Sequence, residues 1–438
     1  MKKILLSTVA LVAFGAFSTS AMEQTLAKPA AQPAKKVVEV EVAENKAETS
    51  IKLEVGGYAD WYLTYAKNRK NALVDYGYPV ITAPAPMTDP TIAPIGKYNT
   101  FDVMGYAEVH FKGTAELKNG LTVGTVVELK AGTDPSTAHT TIDQSYVTVE
   151  GNFGRIIAGN VTNVGEQMAV TSPTVSTLGI QESDFERLVL RPVDVRGLDA
   201  TYSTFDNIST KVSYITPTVG GLTFGISLMP SNNPDGQDDN VLLYDPVVSF
   251  RYASIASVKF EKELGGTNLT WGATYGFYKP DVQGFSPASS HANRKMHDVA
   301  TGINLGFGNL TVGGSYRRVI ANKASIFADE AGYAFDIGAM YEVGAYEFSI
   351  NYLTSSTRNP KGDNAFGTAL SNFIGEKNDT HSLLAVSAKY KMAPGVSFFT
   401  DVGYLTYTNR EEKAVTPKAA RVAENRGLAI AAGMNLTF

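Results

Sequence analysis

Apolar and polar side chains alternate along most of the chain from residue 51 to its last residue. In residues 427–438, Leu428, Ile430 and Leu436 share one face with other apolar side chains, whereas small or polar side chains occupy the opposite face. This period of two predicts a β-strand, because successive side chains of a strand point to opposite sides. The two faces suit a strand between lipid and water, and an edge strand of a soluble sandwich is the alternative.

The alternation predicts sixteen strands, and residues 198–205 could form an additional one, which leaves a count of 18 open. An even number lets both chain ends lie on one side of a membrane, and closure removes the unpaired edges of an open sheet. The predicted fold class is therefore all-β, a transmembrane antiparallel β-barrel. The predicted strands are 51–66, 100–117, 120–132, 140–150, 153–160, 209–216, 222–229, 248–263, 268–279, 297–307, 309–320, 333–343, 346–355, 381–392, 395–408 and 427–438.

Short turns and long polar loops alternate between these strands. The turn at 118–120 contains Asn-Gly, which accepts the positive φ of a tight hairpin, whereas the connections 230–247 and 356–380 are long and polar. This asymmetry is typical of membrane barrels with short turns on one side. Aromatic residues near predicted strand ends suit the membrane interface, and they are Tyr275, Phe277, Tyr333, Phe335, Tyr346, Tyr352 and Phe438.

The first fifty residues differ from the rest of the chain. Residues 1–21 combine two lysines, an apolar core and a small-residue cleavage site, which predicts a signal peptide. The alternative is a membrane anchor, but the core is shorter than the roughly 20 residues that span a bilayer. Residues 22–50 are of low complexity and are predicted to form a periplasmic extension, in which 37–42 could add a short strand. The barrel domain is then 51–438.

Composition excludes several classes of function. The chain has 40 Gly, 22 Tyr and 21 Phe but no Cys, so it contains no disulfide scaffold, thiol nucleophile or zinc-thiolate site. A formal net charge of −5 gives no indication of nucleic-acid binding. Hydrolase, nucleotide-binding and zinc-protease motifs are missing from the sequence. We therefore predict no enzyme, cofactor or metal. The oxygen-rich segment 232–240 could hold a divalent cation, but it does not match EF-hand spacing and is predicted to be a plain solvated loop.

Two segments resemble classical Gram-negative porins, the sixteen-stranded trimeric general porins. Residues 140–160, TIDQSYVTVEGNFGRIIAGN, precede a long irregular loop, and they resemble the stretch before the porin constriction loop. Residues 210–228, TKVSYITPTVGGLTFGISL, resemble the family's strand, Pro, Gly-Gly turn and strand. The final strand ending in Phe438 resembles the insertion signal of outer-membrane barrels. The order of these features covers 51–438, but the Pro-Glu-Phe-Gly-Gly-like run common in the family's third loop is missing.

The resemblance implies that the third loop, 161–208, folds into the lumen and narrows the pore. Acidic and basic side chains facing each other across a narrow lumen create a transverse field that orients polar solutes. The charged residues available in this loop are Glu166, Glu182, Asp184, Glu186, Arg187, Arg191, Asp194 and Arg196.

Face parity also predicts which charges line the lumen wall. The candidate cations are His110, Lys112, Lys130, Lys211, Arg251, Lys259, Arg317, Lys389 and Lys391. Lumen-facing acids nearly balance them, so the sequence assigns no ion preference. The alternative for each cation is a solvated wall residue without a role in selectivity.

Three functions compete. The first is a passive diffusion channel for ions and small hydrophilic solutes, which the resemblance places in the outer membrane of a Gram-negative bacterium. Its implied partners are outer-membrane lipid and lipopolysaccharide, the barrel-assembly machinery and two further copies in a homotrimer. The second is a substrate-selective channel, which would need an aromatic track or a lumen of one charge sign. The third is a barrel adhesin or enzyme, for which no Ser–His spacing provides a candidate.

Overall fold

A computed structural model of the chain describes part of its length. The described residues are 37–38, 51–68, 100–130, 142–191, 195, 197–204, 208–231, 249–281, 295–321, 331–357, 378–408 and 424–438. The chain divides into two units, Met1–Ala34 and Lys35–Phe438, and the first lies outside the described residues. The predicted signal peptide, the oxygen-rich segment 232–240 and most of the long polar connections lie outside them as well.

Sixteen antiparallel strands form one closed barrel, which confirms the predicted fold class. After a two-residue strand β1 (Val37–Val38), they are β2 (Ile51–Asn68), β3 (Phe101–Glu116), β4 (Thr122–Lys130), β5 (Ile142–Gly151), β6 (Gly154–Val161), β7 (Ser209–Ile215), β8 (Leu222–Ser231), β9 (Ser249–Leu264), β10 (Thr267–Asp281), β11 (Met296–Phe307), β12 (Leu310–Ala321), β13 (Gly332–Val343), β14 (Tyr346–Thr357), β15 (Asp379–Ala393), β16 (Val396–Thr408) and β17 (Glu424–Thr437).

The ring closes where β17 pairs with β2. Backbone hydrogen bonds join the two strands at one end, where the Gly57 N–H donates to the Phe438 carbonyl at 3.0 Å and the Phe438 N–H donates to the Gly57 carbonyl at 3.1 Å. Each of the sixteen described barrel strands therefore has a paired neighbour on both sides, which removes the unpaired edges of an open sheet. The predicted strand bounds agree with the observed ones within about three residues, because period-two patterning is a local signal.

Two optional predictions have different outcomes. Of the possible short strand at 37–42, Val37 and Val38 pair with Leu53 and Glu54 of β2 as β1. The possible strand at 198–205 does not form, since its described residues belong to an irregular segment inside the barrel. The predicted hairpin turn is present, and Gly120 adopts a φ of +81° there, a conformation that favours glycine.

The two strand faces differ in exposure as the alternation predicts. On β2, Leu63 is 66% exposed on the outside, whereas its neighbour Thr64 is 3% exposed on the inside. On β13, Ile337 is 60% exposed and Asp336 is 3% exposed. The large exposed apolar residues form the outer surface, as they must in a barrel that lipid surrounds.

The buried core lies inside the barrel, between its wall and the described residues of the segment 162–208 (162–191, 195, 197–204 and 208), which we call the inner loop. This loop contains two one-turn helices, α1 (Val164–Gln167) and α2 (Phe185–Leu188). One apolar cluster joins α2 to β14, β15 and β16, and a second joins α1 to β8, β9 and β12. No helix among the described residues is long and apolar enough to cross a membrane.

Candidate functional site

The inner loop leaves β6 and turns at once into the barrel. Asn163 caps α1, since its Oδ1 accepts hydrogen bonds from the N–H groups of Gly165 at 2.6 Å and Glu166 at 3.1 Å. The Asn163 side-chain amide also donates to the Ser203 carbonyl at 3.0 Å. One asparagine therefore ties the start of the loop to its returning segment and fixes its entry angle.

Three polar side chains of the lumen wall hold the loop backbone between residues 172 and 178. Asp336 accepts from the Ser172 N–H at 2.9 Å, and Ser349 accepts from the Val175 N–H at 3.1 Å. Asp401 accepts from the N–H groups of Thr177 at 2.9 Å and Leu178 at 3.0 Å. These contacts attach the loop to β13, β14 and β16 in turn, so it follows the inner wall.

Glycines on the wall let the loop come close. A Cβ at Gly302 would lie 1.8 Å from the carbonyl oxygen of Val170, and a Cβ at Gly403 would lie 2.5 Å from the Phe185 ring. Any larger side chain at either position would displace the loop. Phe185 itself is fully buried in the apolar cluster that includes Leu383 and Leu405.

The loop carboxylates fall into two groups by environment. Glu186 contacts the wall, where Arg191 Nη2 donates to it at 2.5 Å and His381 Nε2 lies 3.3 Å away. Burial lowers the pKa of Arg191, but Glu186 and Asp199 outweigh it, so the pKa is raised and the guanidinium stays charged. Glu186 and Arg191 were both predicted at the constriction, but they lie at the contact between loop and wall.

Glu182 and Asp184 face the remaining lumen instead. Burial raises the pKa of Glu182, and the nearby Asp199 raises it further. Burial also raises the pKa of Asp184 to about 6, with a further contribution from Asp60 of β2. Arg187 pairs with Asp184 at 3.1 Å, so these two predicted residues lie side by side.

Asp184 and Arg187 lie beside the wall at β2 and β3. The Arg187 guanidinium lies 4.9 Å from the centre of the Tyr106 ring, and the Tyr106 hydroxyl lies 3.5 Å from Asp184. Tyr106 lies on the lumen-facing side of β3, which the alternation of side chains is sufficient to predict, whereas its contact with the loop depends on the path of the loop. The inner loop therefore reaches from the β16 side of the barrel to β3.

Acidic side chains predominate on the surface between loop and wall. We call this surface the acidic face and define it by Asp60, Glu108, Glu128, Glu182 and Asp184. Among the described residues, Arg187, His110 and Lys389 lie close to it, and Lys389 acts electrostatically on Asp60. Two further cations, Arg317 near Glu182 and Lys130 opposite Glu108, are paired with Asp298 and Asp143. Negative charge is thus in excess at the narrowed part of the lumen.

The predicted wall cations have unequal surroundings. Lys211 is 1% exposed and donates to the Val161 carbonyl, and Arg317 is fully buried against Asp298. Both are therefore structural, since the loop and wall enclose them. Lys389 lies near Asp60 and opposite Glu347. The other described candidates form close pairs, namely His110 with Glu108, Lys112 with Glu54, Lys130 with Asp143, Lys259 with Glu261, and Lys391 with Glu347.

Some predicted residues remain untested. Glu166 lies in α1 and is half-buried. Asp194, Arg196 and the side chain of Arg251 lie outside the described residues.

One mixed group on the acidic face, Glu108, His110 and Glu128, has the geometry to hold a metal ion, although the sequence predicted none. This group forms because His110 of β3 is the cross-strand partner of Glu128 of β4. The sequence alone does not determine the register between the two strands, so it could not predict this pairing.

Comparisons with known proteins agree with this architecture. The family profile described as Gram-negative porin matches residues 7–410. The outer membrane channel DcaP of Acinetobacter baumannii is similar in structure, with 11% identity, coverage of 90% of this chain and 99% of that one, and a TM-score of 0.54. OmpT, an outer membrane protein of Vibrio cholerae solved in a trimer form, is 11% identical, with coverage of 89% and 99% and a TM-score of 0.51. No curated protein matched the sequence.

Proposed function

The chain belongs to the Gram-negative porin family and is a passive channel of the outer membrane, and we propose that its inner loop makes the pore narrow and cation-preferring. The observation that carries this proposal is the acidic face, where Asp184 of the loop lies near Asp60 of the wall and Glu182 of the same loop lies near Asp199. Charged side chains at a constriction select ions by sign, because low-dielectric walls focus their field.

Neutralising Glu182 and Asp184 tests this proposal. The variant Glu182→Gln/Asp184→Asn should move the reversal potential under a salt gradient towards anions, while the barrel still folds. Glu186 is left unchanged, because neutralising it would remove the partner of Arg191 at the loop–wall contact. Reversal potentials in planar bilayers provide the measurement.

A matched control is Glu263→Gln, which removes a carboxylate that is exposed at the end of β9, next to a short turn. It should leave the reversal potential close to that of the unaltered protein. Equal reversal potentials for the double variant and the unaltered protein would contradict a selectivity role for the inner loop.

We propose a homotrimer from the uneven height of the barrel wall. β6 has 8 residues and β7 has 7, whereas β2 has 18. At about 3.3 Å per residue and a tilt of about 45°, eight residues rise roughly 19 Å, less than the apolar band of about 25 Å. We call the part of the barrel wall formed by β6 and β7 the low wall. Further copies packed against it would shield it from lipid. The trimer form of the similar OmpT supports this arrangement.

The remaining parts of the chain complete the proposal. Residues 1–21 act as the signal peptide, 22–50 as a periplasmic extension and 51–438 as the barrel domain. The exposed apolar surface contacts outer-membrane lipid and lipopolysaccharide, and the barrel-assembly machinery inserts the chain through its last strand. Small hydrophilic solutes and ions pass through the lumen. N-terminal sequencing of the exported protein tests the cleavage site.

A further inference from the structure

Three metal-ligating side chains meet on the lumen side of two adjacent strands. Glu108 and His110 are two positions apart on β3 and share a face, and Glu128 of β4 is the cross-strand partner of His110. One ligand atom from each of the three residues lies within 4.8 Å of the other two. The group lies beside the constriction, because Glu108 is two positions along β3 from Tyr106.

Neutral donors orient both carboxylates. The Tyr58 hydroxyl donates to Glu108 Oε2 at 3.0 Å, and the Gln144 amide donates to Glu128 Oε2 at 2.8 Å. Glu108 Oε1 lies 2.8 Å from His110 Nε2. Gln144 is itself fixed, since its Oε1 accepts from the Thr162 N–H at 3.1 Å. Outer partners that orient ligands in this way are a general property of metal sites.

The lysines near this group form their ion pairs with other carboxylates, although Lys130 is the cross-strand partner of Glu108. Lys130 pairs with Asp143, and Lys112 lies 3.9 Å from Glu54. Among the described residues, no Lys or Arg forms an ion pair with Glu108 or Glu128. Two carboxylates so close together repel each other, and a cation between them relieves that repulsion.

We infer that Glu108, His110 and Glu128 bind a divalent transition-metal ion, for which Zn²⁺ is the probe. A nitrogen ligand with two carboxylate oxygens suits zinc and related ions, whereas Mg²⁺ and Ca²⁺ prefer oxygen ligands alone. Bond lengths near 2.1 Å place ligand atoms of a tetrahedral site about 3.4 Å apart, so small side-chain movements complete the site. His110 is 37% exposed, which leaves room for water as the fourth ligand.

A bound ion adds positive charge to the acidic face and reduces the passage of cations. This effect on current rests on the cation-preferring pore proposed above, whereas zinc binding itself does not. Zinc binding and its effect on current therefore need separate measurements. The ion selectivity measured without zinc tests the cation-preferring pore independently of both.

Isothermal titration of the folded full chain in detergent measures binding. We expect one zinc ion per chain, and His110→Ala or Glu128→Gln should weaken its binding by more than about 100-fold. Tyr58→Phe should weaken it by about 10–100-fold, the usual effect of losing an outer partner. His297→Ala is the control, since this histidine lies away from the group, hydrogen-bonded to Tyr275. Heat-dependent gel mobility reports whether each variant folds.

Equal zinc binding by the unaltered protein and the folded His110→Ala variant would overturn the site, as would Mg²⁺ binding as tight as that of Zn²⁺. In bilayers, zinc should lower the cation current of the unaltered protein but leave that of His110→Ala unchanged. Binding without this change in current would overturn the proposed effect on conduction.

Discussion

Arg317 and Asp298 form a fully buried ion pair behind the inner loop. The guanidinium donates to both carboxylate oxygens of Asp298, and its Nη1 donates to the Ala200 carbonyl at 3.2 Å. A buried charge is costly unless a partner compensates it, and here the wall and the loop share that compensation. Arg317 thus connects β12 to the returning end of the loop, whereas face parity alone predicted a cation that lines the lumen wall.

Breaking this pair should destabilise the protein strongly. Arg317→Met leaves Asp298 buried without its partner, which costs about 3–5 kcal/mol of unfolding free energy. The double variant Arg317→Met/Asp298→Asn should recover much of the loss, because no isolated charge remains. Denaturant unfolding monitored by tryptophan fluorescence checks both. A double variant no more stable than the single one would contradict this explanation.

Asp184 should make ion selectivity depend on pH. Its pKa is raised to about 6, chiefly by burial and further by Asp60, so the carboxylate is ionised at pH 7.5 and largely neutral at pH 5. Tyr62, Tyr106 and Arg187 are the other titratable or charged groups near it. Cation preference should therefore fall as the pH drops through this window.

Reversal potentials at a series of pH values measure this change. Asp184→Asn should reduce its size, while the contribution of Glu182, whose pKa is also raised, remains. Coincident pH profiles for Asp184→Asn and the unaltered protein would show that Asp184 does not influence permeating ions.

The strands and the inner loop differ in how far the sequence predicts them. Strand faces follow from a period of two, which any short window reveals, so the bounds and lumen-facing positions of β2 to β17 were predictable. The loop path depends instead on single contacts over long sequence distances, such as Leu178 with Asp401. One unused signal was the apolar character of lumen-facing Leu353, Leu383 and Leu405, which indicates that something apolar covers them.

Removing one wall anchor should loosen the loop. Asp401→Ala deprives the N–H groups of Thr177 and Leu178 of their acceptor, and each unpaired group costs about 1–3 kcal/mol. We expect larger current fluctuations in single channels. Asp401→Asn is the matched control, because it removes the charge but keeps an acceptor oxygen. Its current fluctuations should be as small as those of the unaltered protein. Similar noise in both variants would assign the effect to charge instead.

At the scale of the whole molecule, the low wall at β6 and β7 should be the contact between copies. The chain has no cysteine, so single cysteines are specific probes. Val212 of β7 is 51% exposed on this wall, and Ile337 of β13 is 60% exposed on another part of the barrel. Both positions would face lipid in a monomer.

A thiol cross-linker applied to membranes should join copies carrying Val212→Cys and leave Ile337→Cys uncrosslinked. Native mass spectrometry of the unaltered protein should give three times the chain mass. Cross-linking from Ile337→Cys alone would place the interface at β13 instead of the low wall. A mass equal to that of a single chain would exclude the trimer.

The seam between β2 and β17 also determines the order of assembly. Its hydrogen bonds join Gly57 to Phe438, the two extremes of the barrel sequence, so closure is the most non-local pairing in the fold. Pairings of this kind form slowly, because the entropy cost of closing a long loop comes before the contacts that offset it. Until then both outer strands are open to pairing with other chains. The chain is therefore most prone to aggregation before β2 pairs with β17.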